Sequence, residues 1–236
     1  CLYTYKNRIS LVITIEIISF SDALKYPFKA PKKFLYALLL LIPILGWFII
    51  YGYIVRLVNE YIEARYEEPI EIDLIEDLKL GAITFVKFLP FFLAYLIVIF
   101  IADYTSPILG FFVNLLLGFF VFPPLLINFF RKQTAESCFE FDILKVVYEN
   151  LGDYIMAMLK QFALRIIFGA FAYLPIIFAI YLENYALAIV LIPIVLIGLL
   201  AAYITYLIFI ANFYGNYIEQ KNTLAFGDTS KNPSAF

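Results

Sequence analysis

The chain has 236 residues, 64% of them hydrophobic and 15% charged, with a formal net charge of −2 and a mean hydropathy of +0.91. Soluble domains average about 45–50% apolar and about 25% charged residues, so this balance excludes an ordinary water-soluble domain. The slight negative charge argues against a nucleic-acid partner, and the absence of histidine removes the commonest general base and the usual zinc, copper and haem ligand.

Residues 1–20 stand apart from the rest. Ile9–Phe20 is apolar but short, is interrupted by Glu16 and lacks the small-residue cleavage site of a secretory signal. An interfacial or disordered extension is expected there. Cys1 in place of Met is read as a processed or truncated start or as an artefact of how the reading frame was chosen. With Cys138 it makes two cysteines, too few for a disulfide framework, and Cys138 is expected to be a free thiol.

Ser21 and Asp22 mark a helix start, and Pro27 and Pro31 interrupt the chain before Lys32 and Lys33. From there, uncharged runs of fifteen residues or more recur: Tyr36–Val55, Phe88–Ala102, Tyr104–Phe130, Ile166–Leu182 and Asn184–Tyr217. About 20 apolar residues in helical rise match the ~30 Å hydrocarbon core, and helices satisfy their own backbone hydrogen bonds in lipid. Five spans follow, near 34–56, 82–102, 108–130, 155–182 and 186–213. Pro43 and Gly46 predict a kink or break in the first, and its helix is expected to continue past Arg56 to Ile62. Asp103–Pro107 and Glu183-Asn184 read as tight turns, so the later spans pair as two hairpins.

Two amphipathic connections separate these units. Residues 60–79 are acidic, with Ile72, Ile75 and Leu78 at helical spacing, and predict a short interfacial helix. Residues 134–153 place Phe139, Ile143, Leu144, Val147 and Leu151 on one face and predict a second. The polar tail 218–236 is expected to be disordered. The fold class is therefore all-α: one polytopic transmembrane bundle over residues 21–217.

The hairpins resemble each other. Leu89-Pro90 with Ala94 matches Leu174-Pro175 with Ala179, and Asn128-Phe129-Phe130 matches Asn212-Phe213-Tyr214, at offsets of 85 and 84 residues. Two spans per unit would relate the copies by an axis along the membrane normal.

Orientation is conflicted under five spans. The two turns carry no Lys or Arg while the opposite side carries many, which puts both amphipathic connections in the cytoplasm. Lys25, Lys29, Lys32 and Lys33 then fall on the wrong side. A first segment that dips in and returns at Pro43–Gly46 reconciles the charges, but about 22 residues are short for that, and five spans with both amphipathic connections cytoplasmic are the preferred reading. The lysine cluster reads as an orientation signal or headgroup contact, or more sharply as recognition of an anionic lipid.

Polar residues at membrane depth are the default functional candidates. They are Asn114, Asn128, Arg165, Asn212 and Asn216. For the asparagines interhelical hydrogen bonding is the simpler role, and for Arg165 snorkelling toward Lys160. No catalytic, cofactor-binding or metal-ligating constellation is expected.

The opening Asp22-Ala23-Leu24-Lys25-Tyr26-Pro27-Phe28-Lys29-Ala30-Pro31-Lys32, then Leu41-Ile42-Pro43-Ile44-Leu45 and Gly52-Tyr53-Ile54-Val55-Arg56, resembles the domain of unknown function 4013 family. Asp77-Leu78-Lys79-Leu80-Gly81 and Cys138-Phe139-Glu140-Phe141-Asp142 leading to Gly152-Asp153-Tyr154 are looser matches. Ala30 and Cys138 depart from the expected Asp or Asn and Ala. The resemblance implies a polytopic membrane protein of archaeal type, with no activity to carry over.

The expectation is a multi-pass protein of the plasma membrane, without a cofactor and not an enzyme. It would act as a scaffold, an accessory subunit or a binder of membrane lipids or proteins, and a protein partner or homo-oligomer fits that role. The alternative is a small transporter, which a polar cavity lined by Asn114, Asn128 and Arg165 would favour.

Overall fold

A computed structural model describes residues 18–67, 69–183 and 185–219. The readings made for residues 1–17 and 220–236 lie outside the described residues. All regular structure among the described residues is helical.

The short α1 (Phe20–Lys25) is capped by Ser19, whose side chain accepts from the Asp22 N–H at 3.1 Å. Prolines then open two 3-10 segments, Tyr26–Lys29 and Pro31–Leu41, because a fixed φ and a missing N–H suit a helix's first turn. The chain turns at Ile42–Ile44, with Ile44 at φ 66°, and returns as α2 (Leu45–Ile62). The first expected span is therefore two helices folded against each other, and the continuation to Ile62 is present. The Lys29 ammonium donates to the Tyr66 carbonyl and that of Lys33 to the Pro69 carbonyl. Lys29 and Lys33 thus lie beside the connection that follows α2.

Four helical stretches are long and apolar enough to cross a membrane among the described residues: Leu74–Thr105, Pro107–Lys132, Leu151–Tyr181 and Ile189–Ile218. The count expected from the sequence was five. The one without a counterpart is the first, near 34–56, which the turn at Ile42–Ile44 divides between Pro31–Leu41 and α2; most of α2 is buried.

The first hairpin consists of α3 (Leu74–Thr105), α4 (Pro107–Leu116), a π-helical segment Leu117–Val121 and α5 (Phe122–Lys132). The Asp73 carboxylate caps α3 by accepting from the Ile75 and Glu76 N–H groups, and nothing then stops the helix before the apolar run. The interfacial helix expected within 60–79 is consequently the first turns of α3, preceded by an irregular connection. The connection after α5 contains a 3-10 segment, Ala135–Phe139, and a seven-residue α6 (Ile143–Glu149) that buries Ile143 and Val147. The second hairpin consists of α7 (Leu151–Tyr181), α8 (Tyr185–Ile204) and α9 (Ile208–Tyr214), followed by a π-helical segment Gly215–Glu219. Gly198 lets α8 approach α7 closely, since a Cβ there would sit 2.9 Å from the Ala172 Cα.

The core gathers α2, α5 and α9. Tyr53, Leu57, Tyr61, Leu125, Phe129 and Ile208 are all buried. Along the far halves of α3, α4, α7 and α8, large apolar side chains such as Ile97, Phe100, Ile108, Ile177 and Val190 are exposed. A polar solvent makes such a surface costly, whereas hydrocarbon makes it neutral.

Candidate functional site

A close α2–α3 crossing sets the site. The fully buried Asp77 carboxylate accepts from Arg56 Nε at 2.6 Å and Nη2 at 2.7 Å, and from the Asp73 N–H at 2.9 Å. Arg56 Nη2 also donates to the Glu71 carbonyl at 2.8 Å. The paired, charge-assisted geometry is what makes a buried carboxylate tolerable. At the crossing Gly52 and Gly81 face each other. A Cβ on Gly52 would sit 2.0 Å from the Asp77 carbonyl oxygen, and one on Gly81 would sit 2.0 Å from that of Phe48. Only hydrogen fits there, so backbone lies directly on backbone.

Beyond the glycines come large side chains, Phe48 and Tyr51 on α2 and Phe85 and Phe88 on α3. With residues of α5 and α8 they enclose a cavity of about 630 Å³. Its polar side-chain atoms come solely from Trp47, Tyr51, Tyr203 and Tyr206; the remaining lining is apolar. The volume lies in the roughly 300–1,000 Å³ range of small-molecule sites. Ile44, Trp47, Phe85, Phe92 and Tyr203 line the cavity while remaining exposed, so it opens toward the apolar exterior.

The sequence-predicted polar residues do not share this cavity. Asn114 stays within the first hairpin, its amide oxygen accepting from Tyr95 Oη at 2.6 Å. Asn128 is fully buried. Its amide donates to the Ser137 carbonyl at 2.8 Å and Glu140 Oε2 at 3.0 Å, and its oxygen accepts from Tyr214 Oη at 2.7 Å. That last bond ties the ends of the two hairpins together. Asn212 and Asn216 sit together, Asn216 Nδ2 donating to the Asn212 carbonyl at 3.0 Å, beside a 110 Å³ recess that Asp153 and Lys160 also line. Arg165 is exposed on α7 and lies over the Tyr206 ring, 4.7 Å from guanidinium carbon to ring centroid. It thereby adjoins the cavity from outside. Lys25 and Lys32 are exposed.

Sequence reasoning missed the residues that make the α8–α9 break tolerable. Leu207 leaves helical geometry with φ −159° and ψ 14°, and the surrounding groups need partners. Gln161 Nε2 donates to the Thr205 carbonyl at 2.7 Å, its Oε1 accepts from the Phe209 N–H at 3.2 Å, and Tyr61 Oη donates to the Ile204 carbonyl. Neither proline nor glycine marks this break. The available signal was a glutamine and a tyrosine amid apolar residues.

Outside the spans, burial pushes the Cys138 thiol up to about 12, which makes it a poor nucleophile. Partial burial alone would raise the Glu140 carboxyl. Hydrogen bonds from Lys132 and Asn128, with the Lys132 charge, outweigh this and hold it below its ordinary 4.5. Among the described residues no three Cys, Asp or Glu side chains are grouped as a metal site needs. No family model, curated protein or solved structure matches the chain.

Proposed function

We propose that this protein is a non-catalytic, multi-pass component of the plasma membrane that binds the apolar chain of a membrane lipid between its two hairpins. The observation that carries the reading is the cavity of about 630 Å³, lined by aromatic and aliphatic side chains and open toward the apolar exterior. A bilayer supplies one abundant ligand of that chemistry. In this reading the chain crosses four times, and residues 26–62 dip in and return. Every described Lys and Arg then belongs to one side, while the turns at Ser106 and Glu183 belong to the other, so the charged side is cytoplasmic by the positive-inside rule.

We also infer that the hairpins are copies of one unit. In support, each has a long helix of 32 or 31 residues, a tight turn, an interrupted return helix and a buried end carrying Asn128 or Asn212.

Native mass spectrometry of protein purified in mild detergent tests the function. A stoichiometrically retained lipid supports it. Bare protein, or a retained protein partner alone, turns it to the scaffold reading. A small transporter is the second reading, favoured by the helix interruptions at Leu117–Val121 and Thr205–Leu207, since transporter sites form where helices break. Solute flux into proteoliposomes would move the conclusion there.

A further inference from the structure

We propose that Arg165 is the headgroup contact of an anionic phospholipid whose chain occupies the inter-hairpin cavity. This rests on the lipid-binding reading and adds charge selectivity to it. Three observations converge on that residue.

Tyr206 has two neighbours of opposite character. Its side chain lines the apolar cavity, and its ring carries the Arg165 guanidinium 4.7 Å away. A cation therefore stands one ring's breadth from a space that fits a lipid chain. A guanidinium held over an aromatic face uses none of its N–H groups on a hydrogen-bond acceptor there, and their fork matches two oxygens of a phosphate.

Among the described residues Arg165 has no carboxylate within ion-pair reach and no hydrogen-bond acceptor; its partner is the tyrosine ring. Lys160 on α7 likewise has only a ring, that of Phe209 at 5.7 Å, but four other basic residues around the core are engaged. Arg56 holds Asp77, Arg131 holds Glu63, Lys132 holds Glu140, and Lys87 donates to the Gln133 carbonyl at 2.8 Å.

The level is also that of a headgroup. Arg165 is the last charged residue of α7 before the uncharged run Ile166–Leu182. On α3, whose Phe85 and Phe88 line the cavity, Lys87 stands in the same relation to Phe88–Ala102. Both mark where hydrocarbon begins, and phosphates lie just outside it. Simple snorkelling would leave Arg165 indifferent to lipid charge, and this separates the two roles.

The test uses the full chain reconstituted in vesicles of equal parts phosphatidylglycerol and phosphatidylcholine with matched acyl chains. The protein is then extracted in mild detergent, and the two retained lipids are compared by native mass spectrometry. Wild type should retain phosphatidylglycerol in preference. Arg165→Gln, at an exposed position, should lower that preference about fivefold while leaving total lipid retained nearly unchanged. Arg165→Lys should restore part of it, and Lys145→Gln, on the distant α6, should leave it intact. Leu89→Trp, filling the cavity at its exposed wall, should lower retention of both lipids. An undiminished preference in Arg165→Gln, or equal retention of both lipids by wild type, overturns the role of Arg165 and leaves lipid binding standing. No lipid on wild type overturns both.

Discussion

Asp77 has no exposed surface, and its Arg56 partner's side chain keeps 27%. This asymmetry predicts how the pair fails. Arg56→Gln strands a carboxylate beside the Gly52–Gly81 contact, whereas Asp77→Asn leaves an arginine that can still reach water and the Glu71 carbonyl. Removing one partner of a buried pair costs about 3–5 kcal/mol. Arg56→Gln should therefore lower the detergent unfolding midpoint clearly further than Asp77→Asn; equal losses would mean that the pair is effectively solvated. Glu140 gives a pH signature. Its carboxyl is held below 4.5 in the folded protein, so its contribution is present above the ordinary value and is lost as pH falls through the lower folded one. Thermal unfolding from neutral to acid should show wild type losing its advantage over Glu140→Gln in that window. Because the Glu140 and Lys132 side chains are 41% and 42% exposed, the advantage should be small and weakened by salt.

At the scale of elements, the α8–α9 break is the feature most dependent on a single side chain. Gln161 bridges the Thr205 carbonyl and the Phe209 N–H across it. Interhelical side-chain bonds in membrane proteins average about 0.6 kcal/mol, but losing a partner to buried backbone groups costs about 1–3 kcal/mol. Gln161→Leu should sit in the upper range and should speed hydrogen exchange at Phe209 more than in α7 itself. Unchanged exchange at Phe209 would show that the break is satisfied by other means. The break was not legible in the sequence, because Ile204–Ile208 is an ordinary apolar run. By contrast, the interruption at Pro43–Gly46 and the turns at Asp103–Pro107 and Glu183 were legible, since proline geometry and charge punctuate them. The interfacial helix read into 60–79 had the right periodicity, but no stop signal divides it from the apolar run, and α3 continues through it.

For the whole molecule, the proposed four-pass arrangement makes a sided prediction. In a Cys1→Ser, Cys138→Ser background, Lys32→Cys and Lys145→Cys should react with an impermeant maleimide from the same face of sealed vesicles, and Ser106→Cys from the opposite face. Labelling of Lys32→Cys and Lys145→Cys from opposite faces would restore five crossings. The lysine cluster posed this question at the level of sequence, and what bears on it, Lys29 and Lys33 reaching the carbonyls of Tyr66 and Pro69, 37 and 36 residues away, is visible only in the fold.

Composition and run length alone determined that this is a helical membrane protein with paired hairpins, because hydrocarbon thickness and backbone hydrogen bonding leave few alternatives. Tertiary structure decided which apolar helix is hidden and which faces lipid. Tyr36–Val55 reads in sequence like any span, yet α2 is largely enclosed through contacts with α3, α5 and α9. Tertiary structure also decided the candidate site. Asn114, Asn128 and Arg165 share polarity but not a place, whereas Tyr206 joins a cavity to a cation only because α7, α8 and α2 meet. Hydropathy is a property of each segment taken alone, and a cavity exists only between segments.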